Sequence, residues 1–334
     1  ALKLTPKEYR KMLASLRNYL NVVERDMSAN NWSEINYEAV PSKANLIYKK
    51  AFLKHDEDRR REYLAKLEKG EAKINSSAAF PHDIVHKYSN GRGWGYSLAS
   101  KVDPTLEAMW KALPDMGIEN TIVVADGSGS MTCTVDSNSG VTALEVANAL
   151  AVYTAERCRG EFKNTYITFS SRPQLVHLNG KTLLDNLKEA ARHNEVANTN
   201  IEATFDLILK TAVDNNMAQE DLPKNVLIIS DMEFDQASHM GYGRGAVNAN
   251  LFKQIEGKFA AAGYKVTRLI FWNVNSRSCT IPVKENDLGV ALVSGFSVNI
   301  LKMVMSDRMD PWMLLVDTLV SARYAPILNA ITED

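Results

Sequence analysis

The sequence predicts an α/β fold in which a doubly wound, mostly parallel sheet follows an α-helical region. From residue 120 onwards, short apolar runs alternate with amphipathic segments, as in a parallel sheet covered by helices on both faces. Before that point, apolar residues recur at helical spacing and no segment has a convincing strand pattern. The chain has 334 residues, 45% of them hydrophobic, which is enough for one large domain or two. We therefore expect a helical region over residues 1–117 and a sheet domain over residues 118–334.

The first region is predicted to consist of helices. A long amphipathic helix over residues 4–28 is indicated by Tyr9, Leu13 and Leu16, which lie three and four residues apart. Turn and cap residues such as Pro41, Gly70 and Pro81 separate the segments that follow. The further predicted helices cover residues 42–54 and 56–69, a segment starting at Pro81, and residues 104–113.

The second region alternates strands and helices. Its strands are predicted from apolar runs of four to ten residues, and its helices from apolar residues at 3.6-residue periodicity. The predicted strands cover residues 121–125, 162–169, 175–178, 225–231, 264–273 and 289–294. The predicted helices cover residues 142–159, 182–193, 201–215, 249–262, 298–306 and 311–324.

The most informative motif is Asp126-Gly-Ser-Gly-Ser130, which directly follows the apolar run of the first predicted strand. Ligands of open α/β sheets bind at the carboxyl ends of strands, where this motif lies. Its acidic residue and two hydroxyls, spaced two residues apart, offer the oxygen ligands that a hard divalent cation takes. The motif therefore predicts a Mg²⁺ site, and the same oxygen ligands leave Mn²⁺ and Ca²⁺ open.

The spacing Asp126-x-Ser128-x-Ser130 resembles the metal-ion-dependent adhesion site of von Willebrand factor A-type domains, a Rossmann-like fold. The resemblance covers about residues 118–305. It implies that Ser128, Ser130 and Thr199 bind the metal directly, while Asp126 and Asp231 act mainly through water. It further implies an open coordination position for a carboxylate or another anionic oxygen of a partner.

The chain departs from this family's pattern after Asp231, where Met232 stands in place of the usual Gly and Glu233 and Asp235 follow. The two additional carboxylates would either increase the affinity for a cation or repel an anionic partner. A degenerate site, with its polar groups satisfied by hydrogen bonds, is an alternative. Catalytic motifs fit less well, because Asp126 stands where a nucleophile elbow has its first Gly. Ser128 likewise replaces the second Asp of a haloacid-dehalogenase-like phosphatase.

A helical region followed by an A-type domain is similar to the domain order of Ro-type (TROVE) RNA-binding proteins, in which a ring of helical repeats is closed by an A-type domain. This resemblance is carried by the segment of residues 31–37, Pro41, the run Lys49-Lys50-Ala51-Phe52 and the pair Ile84-Val85. Residues 229–235 and 293–297 also resemble an uncharacterised A-type family of viruses, plants and bacteria. In that family Met232 would be normal.

The Ro comparison implies that basic side chains of the helical region meet RNA phosphates. Residues 1–117 contain 20 Lys and Arg against 15 Asp and Glu, a balance of about +5. Ordinary scatter of charge explains this balance equally well. A solvated helix face, with Asp56 and Glu57 beside the arginines, is the alternative for residues 59–61. The candidate RNA-binding residues are Arg59, Arg60, Arg61, Lys87, Arg92 and Lys101, with Trp94 and Tyr96 available for stacking.

We expect a non-enzymatic binding protein that uses a divalent metal to engage a partner carboxylate or phosphate. The alternative is a Ro-like RNA-binding protein that acts through basic helices, and a metal-dependent hydrolase ranks third. The expected partner is a protein with an exposed acidic residue, or RNA, and no membrane partner is expected. Three widely spaced cysteines fit a reducing compartment, which predicts a cytoplasmic location. The chain begins at Ala1 within a helical pattern, so we expect it to be part of a longer protein.

Overall fold

The computed structural model describes residues 3–76, 78–89, 97–115, 118, 120–135, 140–194, 200–231, 249–275, 291–295, 311–321 and 324–332. Packing divides the chain into two compact units. The first unit comprises residues 1–79 and 100–114, and the second comprises residues 80–99 and 115–334. The boundary expected between residues 117 and 118 stays a prediction.

The first unit is helical. Asp103 caps one of its helices by accepting hydrogen bonds from the backbone N–H groups of Thr105 and Leu106. Thr5 and Glu8 form a capping box at the start of another. The helices up to residue 111 are α1 (Pro6–Tyr19), α2 (Val23–Ser28), α3 (Ser42–His55), α4 (Glu57–Glu68), α5 (Pro81–Tyr88) and α6 (Pro104–Lys111), of which α5 belongs to the second unit.

The single helix predicted over residues 4–28 was wrong, because the chain breaks between α1 and α2. Asn21 lies there in the left-handed region with a φ of 49°, a conformation that Asn adopts more readily than most residues. None of the α1 residues is buried, and Tyr9, Leu16 and Tyr19 are exposed. The periodicity therefore identified an amphipathic helix correctly but did not reveal where it ends.

The second unit is built on one six-stranded sheet. Its strand order is β3-β2-β1-β4-β5-β6, and every neighbouring pair is parallel except β2 and β3. The predicted mostly parallel α/β sheet is thereby confirmed. The strands are β1 (Thr121–Asp126), β2 (Thr165–Phe169), β3 (Leu175–His177), β4 (Asn225–Ser230), β5 (Arg268–Asn273) and β6 (Ala291–Ser294).

Helices cover this sheet, and one of them is almost entirely buried. The helix α7 has buried residues from Ala143 to Ala155, which is typical of a helix that packs on several sides. The helix predicted over residues 311–324 ends at Leu319, and a further helix that was not predicted covers Ala325–Thr332. The predicted helix over residues 298–306 lies outside the described residues. The helices after residue 140 are α7 (Ala143–Arg157), α8 (Leu183–Arg192), α9 (Ile201–Asp214), α10 (Ala249–Ala261), α11 (Pro311–Leu319) and α12 (Ala325–Thr332).

A hydrogen-bonded pair with a buried carboxylate joins α5 to α7. His86 Nδ1 lies 3.1 and 3.0 Å from the two carboxylate oxygens of Glu145, and Glu145 is 1% exposed. Burial alone would raise the pKa of the Glu145 carboxyl. Hydrogen bonds from His86, Ser89 and the backbone N–H of Thr142 outweigh burial, so the pKa is lowered.

Replacing His86 with Ala should destabilise the protein by about 1–3 kcal/mol, because it leaves a buried carboxylate with fewer hydrogen bonds. Since the pKa of Glu145 is lowered in the folded state, its contribution is present above the unfolded pKa and is lost as the pH falls through the folded pKa. Thermal unfolding at pH 7 measures the effect. The control is His193→Ala, whose partner Glu189 is part-exposed. Equal losses in the two variants would contradict the prediction.

Among the residues that the structure describes, none of the helices combines the length and the hydrophobicity that a membrane-spanning helix needs.

Candidate metal centre

The candidate centre lies where the strand order of the sheet reverses. The chain runs outward from β1 through β2 to β3, and then outward on the other side from β4 through β5 to β6. In open α/β sheets, ligands bind outside the carboxyl ends of the strands at such a switch point. Asp126 ends β1, and Asp231 directly follows β4. The two predicted carboxylates thus flank the switch point.

The loop after β1 holds the first carboxylate in one orientation. Every residue of β1 is buried, and Asp126 is only 2% exposed. The backbone N–H of Ser128 donates a hydrogen bond of 2.9 Å to Asp126 Oδ1. A short 3₁₀ helix then turns the chain over Gly129–Thr132. The turn carries the two serine side chains back beside the end of the strand.

The two serine hydroxyls are spaced as ligands of one cation would be. Ser128 Oγ lies 3.0 Å from Ser130 Oγ, and both residues are part-exposed. Neighbouring oxygens around an octahedral Mg²⁺, each about 2.1 Å from the ion, are separated by about 3.0 Å. The two hydroxyls hydrogen-bond to each other at this distance, and the same separation fits two adjacent coordination positions of one cation.

The second carboxylate comes from the neighbouring strand. Ala125 of β1 pairs with Ile229 of β4, so Asp231 emerges next to the end of β1, and it is fully buried. Ser230 Oγ donates a hydrogen bond of 2.6 Å to Asp126 Oδ2. Sequence reasoning missed Ser230, although a hydroxyl at the last position of an apolar strand was a signal that could have found it.

The electrostatics of the site favour a cation. Burial raises the pKa of the Asp126 carboxyl to about 6, and the charge of Asp231 adds to the rise. Hydrogen bonds from Ser230 and Ser128 act in the opposite direction. Two buried acidic groups of like charge are costly together, and a positive ion between or beside them removes that cost.

Part of the predicted ligand set is outside the described residues, namely Thr199, Met232, Glu233 and Asp235. In the part of the chain that the structure describes, no group of three or more His, Cys, Asp or Glu side chains could hold a metal ion. The predicted set does not depend on such a group, because Ser128 and Ser130 supply neutral oxygens. The residues present fit a hard divalent cation by their oxygen chemistry.

Arg60, one of the predicted RNA-binding residues, has a buried guanidinium, so it offers no exposed charge to a phosphate. Arg60 is 0% exposed. Its Nη2 donates to Asn45 Oδ1 and Thr105 Oγ1, each at 3.2 Å. The sequence pattern of charged residues around it did not distinguish this inward position from the solvated ones.

The two neighbouring arginines are exposed, but both already bond to groups of the first unit. Arg59 donates to the carbonyl oxygens of Trp32 and Ile35 and to Asp56 Oδ2, each at 2.9 Å. Arg61 pairs with Glu57 at 2.8 Å. These contacts match a helix face whose charges are internally paired.

The remaining candidates are not gathered in one unit. Lys87 is exposed on α5 of the second unit, and Lys101 is exposed in the first unit. Arg92, Trp94 and Tyr96 lie outside the described residues.

Comparisons with known proteins match both parts of the chain. A family model described as a domain of unknown function (DUF7788) matches residues 120–312, and a second such model (DUF2828) matches residues 2–117. The uncharacterized protein L728 of Acanthamoeba polyphaga mimivirus is 30% identical over 352 residues, which cover 99% of this chain. The chain spans 58% of the length of that viral relative.

Solved structures give weaker matches. The Ro (RSR) protein of Deinococcus radiodurans is 17% identical with a TM-score of 0.42, over 89% of this chain and 64% of that chain. Proximal thread matrix protein 1 of the mussel byssus, in a form with a zinc-occupied MIDAS motif, is 13% identical with a TM-score of 0.33. That match covers 58% of this chain and 47% of the mussel protein. Scores this low carry no functional argument.

Proposed function

The chain belongs to the DUF7788 family, and we propose that it is a non-enzymatic binding protein with an adhesion-type metal site of the von Willebrand A kind. The observation that carries the proposal is the juxtaposition at the switch point. Two hydroxyls 3.0 Å apart lie at the end of β1, beside two buried carboxylates on adjacent strands. This arrangement offers a hard cation mostly neutral ligands.

In this proposal Ser128 and Ser130 hold Mg²⁺ directly, with Mn²⁺ and Ca²⁺ as the other oxygen-seeking candidates. Asp126 acts through water, since both of its oxygens already accept hydrogen bonds from the protein. Asp231 is assigned the same indirect role. Thr199 is retained as a third direct ligand on the strength of its sequence position. When bound, the ion supplies a positive centre for an anionic oxygen of a partner.

We propose a protein carboxylate as the partner group rather than an RNA phosphate. Of the three consecutive arginines expected to contact RNA, one is buried and the other two are engaged within their own unit. An RNA-binding function would need lysines such as Lys87 and Lys101 to supply the affinity. The cytoplasmic location remains a prediction from the cysteines, of which Cys133 and Cys158 are free thiols.

A hydrolytic function has less support. The described hydrogen bonds of His86, His177 and His193 go to Glu145, Thr165 and Glu189. The described hydrogen bonds of Ser128 are with Asp126 and Ser130, and none of them is with a histidine that could act as its general base.

The test is calorimetric titration of Mg²⁺ and Mn²⁺ into the wild type and the Ser128→Ala/Ser130→Ala variant. We expect metal binding in the wild type and at least a tenfold loss of affinity in the variant, because two direct ligands are removed. Circular dichroism should show the same fold in both. The matched control is Ser170→Ala/Ser171→Ala, which removes two serines after the neighbouring strand β2. Wild-type metal affinity in the Ser128/Ser130 variant would contradict the proposal.

A second experiment tests whether the partner is a protein carboxylate or RNA. An acidic peptide should bind only with Mg²⁺ present, and EDTA should abolish the binding. A single-stranded RNA should bind weakly with a shallow dependence on salt concentration. A steep salt dependence for the RNA, unaffected by EDTA, would favour the Ro-like alternative.

A further inference from the structure

Ser230 is the last residue of β4 and belongs to no predicted ligand set. It is 0% exposed, and its backbone is held in the centre of the sheet. Its carbonyl oxygen accepts a hydrogen bond of 3.0 Å from the backbone N–H of Val274, beyond the end of β5. Ser230 therefore occupies a rigid position between the two neighbouring strands.

The side chain of Ser230 hydrogen-bonds to the carboxylate of Asp126. Its hydroxyl donates a hydrogen bond of 2.6 Å to Asp126 Oδ2, which is within the short range typical of O–H···O⁻ bonds. The other oxygen, Oδ1, accepts the backbone N–H of Ser128 at 2.9 Å. One donor comes from β4 and the other from the loop after β1. Together they determine the rotation of the carboxylate about its own axis.

We propose that Ser230 is a positioning residue of the metal centre, which orients the Asp126 carboxylate toward the cation held by Ser128 and Ser130. The inference rests on the proposed function. Groups that hydrogen-bond to metal-site residues without touching the metal commonly change metal affinity by 10- to 100-fold. Without the hydroxyl, Asp126 Oδ2 would lose its donor from β4 and only hydrogen bonds from Ser128 would remain, so the orientation of the carboxylate would be less restricted.

The decisive comparison uses two variants of nearly equal shape. Ser230→Thr keeps the hydroxyl and Ser230→Val lacks it, and both are β-branched residues that suit a strand. Calorimetric titration of Mg²⁺ should give an affinity at least tenfold lower for Ser230→Val than for Ser230→Thr. Ser230→Ala should resemble Ser230→Val. The control is Ser170→Ala, which removes the buried hydroxyl that follows β2.

Each outcome decides a separate question. A wild type that does not bind Mg²⁺ overturns the proposed function and this inference with it. A wild type that binds Mg²⁺, with equal affinities for Ser230→Thr and Ser230→Val, overturns the inference alone. An equal loss in Ser170→Ala would assign the effect to general destabilisation and overturn it as well. Thermal unfolding in EDTA shows in each case whether the variants are folded.

Discussion

Replacing Arg60 with Ala is expected to destabilise the first unit by about 3 kcal/mol. The guanidinium carbon lies 4.9 Å from the ring centroid of Tyr37 and 5.2 Å from those of Phe52 and Tyr63. These three rings belong to the hydrophobic core of the unit. Truncation therefore opens a cavity within the core and removes three favourable contacts between a cation and aromatic faces.

Two further terms act in opposite directions. Asn45 Oδ1 and Thr105 Oγ1 lose a donor at 3.2 Å when the guanidinium is removed, which costs additional stability. Against this, Arg60 Nε and Nη1 are buried without a hydrogen-bond partner, and burial lowers the pKa of Arg60. Removing such a charge relieves part of its desolvation cost. The cavity and lost contacts outweigh that relief, so the net effect is destabilising.

The neighbouring residue provides the control. Arg61 pairs with Glu57 on the exposed face of α4, with 68% and 57% of the side chains exposed, so Arg61→Ala should change stability by less than about 0.5 kcal/mol. Arg60→Met should recover much of the loss, because an unbranched apolar chain fills the space without a buried charge. Urea unfolding followed by circular dichroism measures all three. A loss for Arg60→Ala no larger than for Arg61→Ala would refute the argument.

Replacing Asp126 with Asn is expected to stabilise the metal-free protein at neutral pH while abolishing its metal binding. The folded-state pKa of Asp126 is raised from 3.8 to about 6. A rise of about two pKa units corresponds to at most about 3 kcal/mol of instability when the group is ionised. Asparagine keeps the shape and carries no charge. Its Oδ1 still accepts from the backbone N–H of Ser128, and its Nδ2 donates to Ser230 Oγ, which becomes the acceptor in that contact.

The dependence on pH follows from the sign of the shift. Because the folded pKa lies above the unfolded one, the cost of ionised Asp126 is present above pH 6 and disappears as the pH falls to about 4. In EDTA, the advantage of Asp126→Asn over the wild type should therefore be largest near pH 7.5 and smaller near pH 5. Thermal unfolding at the two pH values measures it.

The control is Asp206→Asn, a change at an exposed carboxylate that pairs with Lys258. It should alter the unfolding temperature only slightly and without the same pH dependence. Adding Mg²⁺ should raise the unfolding temperature of the wild type and of Asp206→Asn, but not that of Asp126→Asn. A less stable Asp126→Asn in EDTA at pH 7.5 would contradict the argument.

Local sequence patterns correctly predicted strands that pair in the folded sheet. The apolar runs before Asp126 and Asp231 became adjacent strands β1 and β4, and the strand-helix alternation produced the mostly parallel sheet. Element ends were less predictable. The break at Asn21 depends on a single backbone conformation, and the hydrophobic periodicity of residues 4–28 continues through it.

The sequence by itself determined the fold class and the placement of Asp126, Ser128 and Ser130, because strand periodicity and a short oxygen-rich motif are local properties. Only the tertiary structure decided which charged side chains are exposed and which hydroxyl donates a hydrogen bond to Asp126. Arg60 and Arg61 are adjacent in a charged helix, yet one lies among three aromatic rings and the other in solvent. Ser230 and Asp126 are 104 residues apart, and the register of β1 against β4 brings them into contact. Such contacts depend on how distant segments pack, which no local pattern specifies.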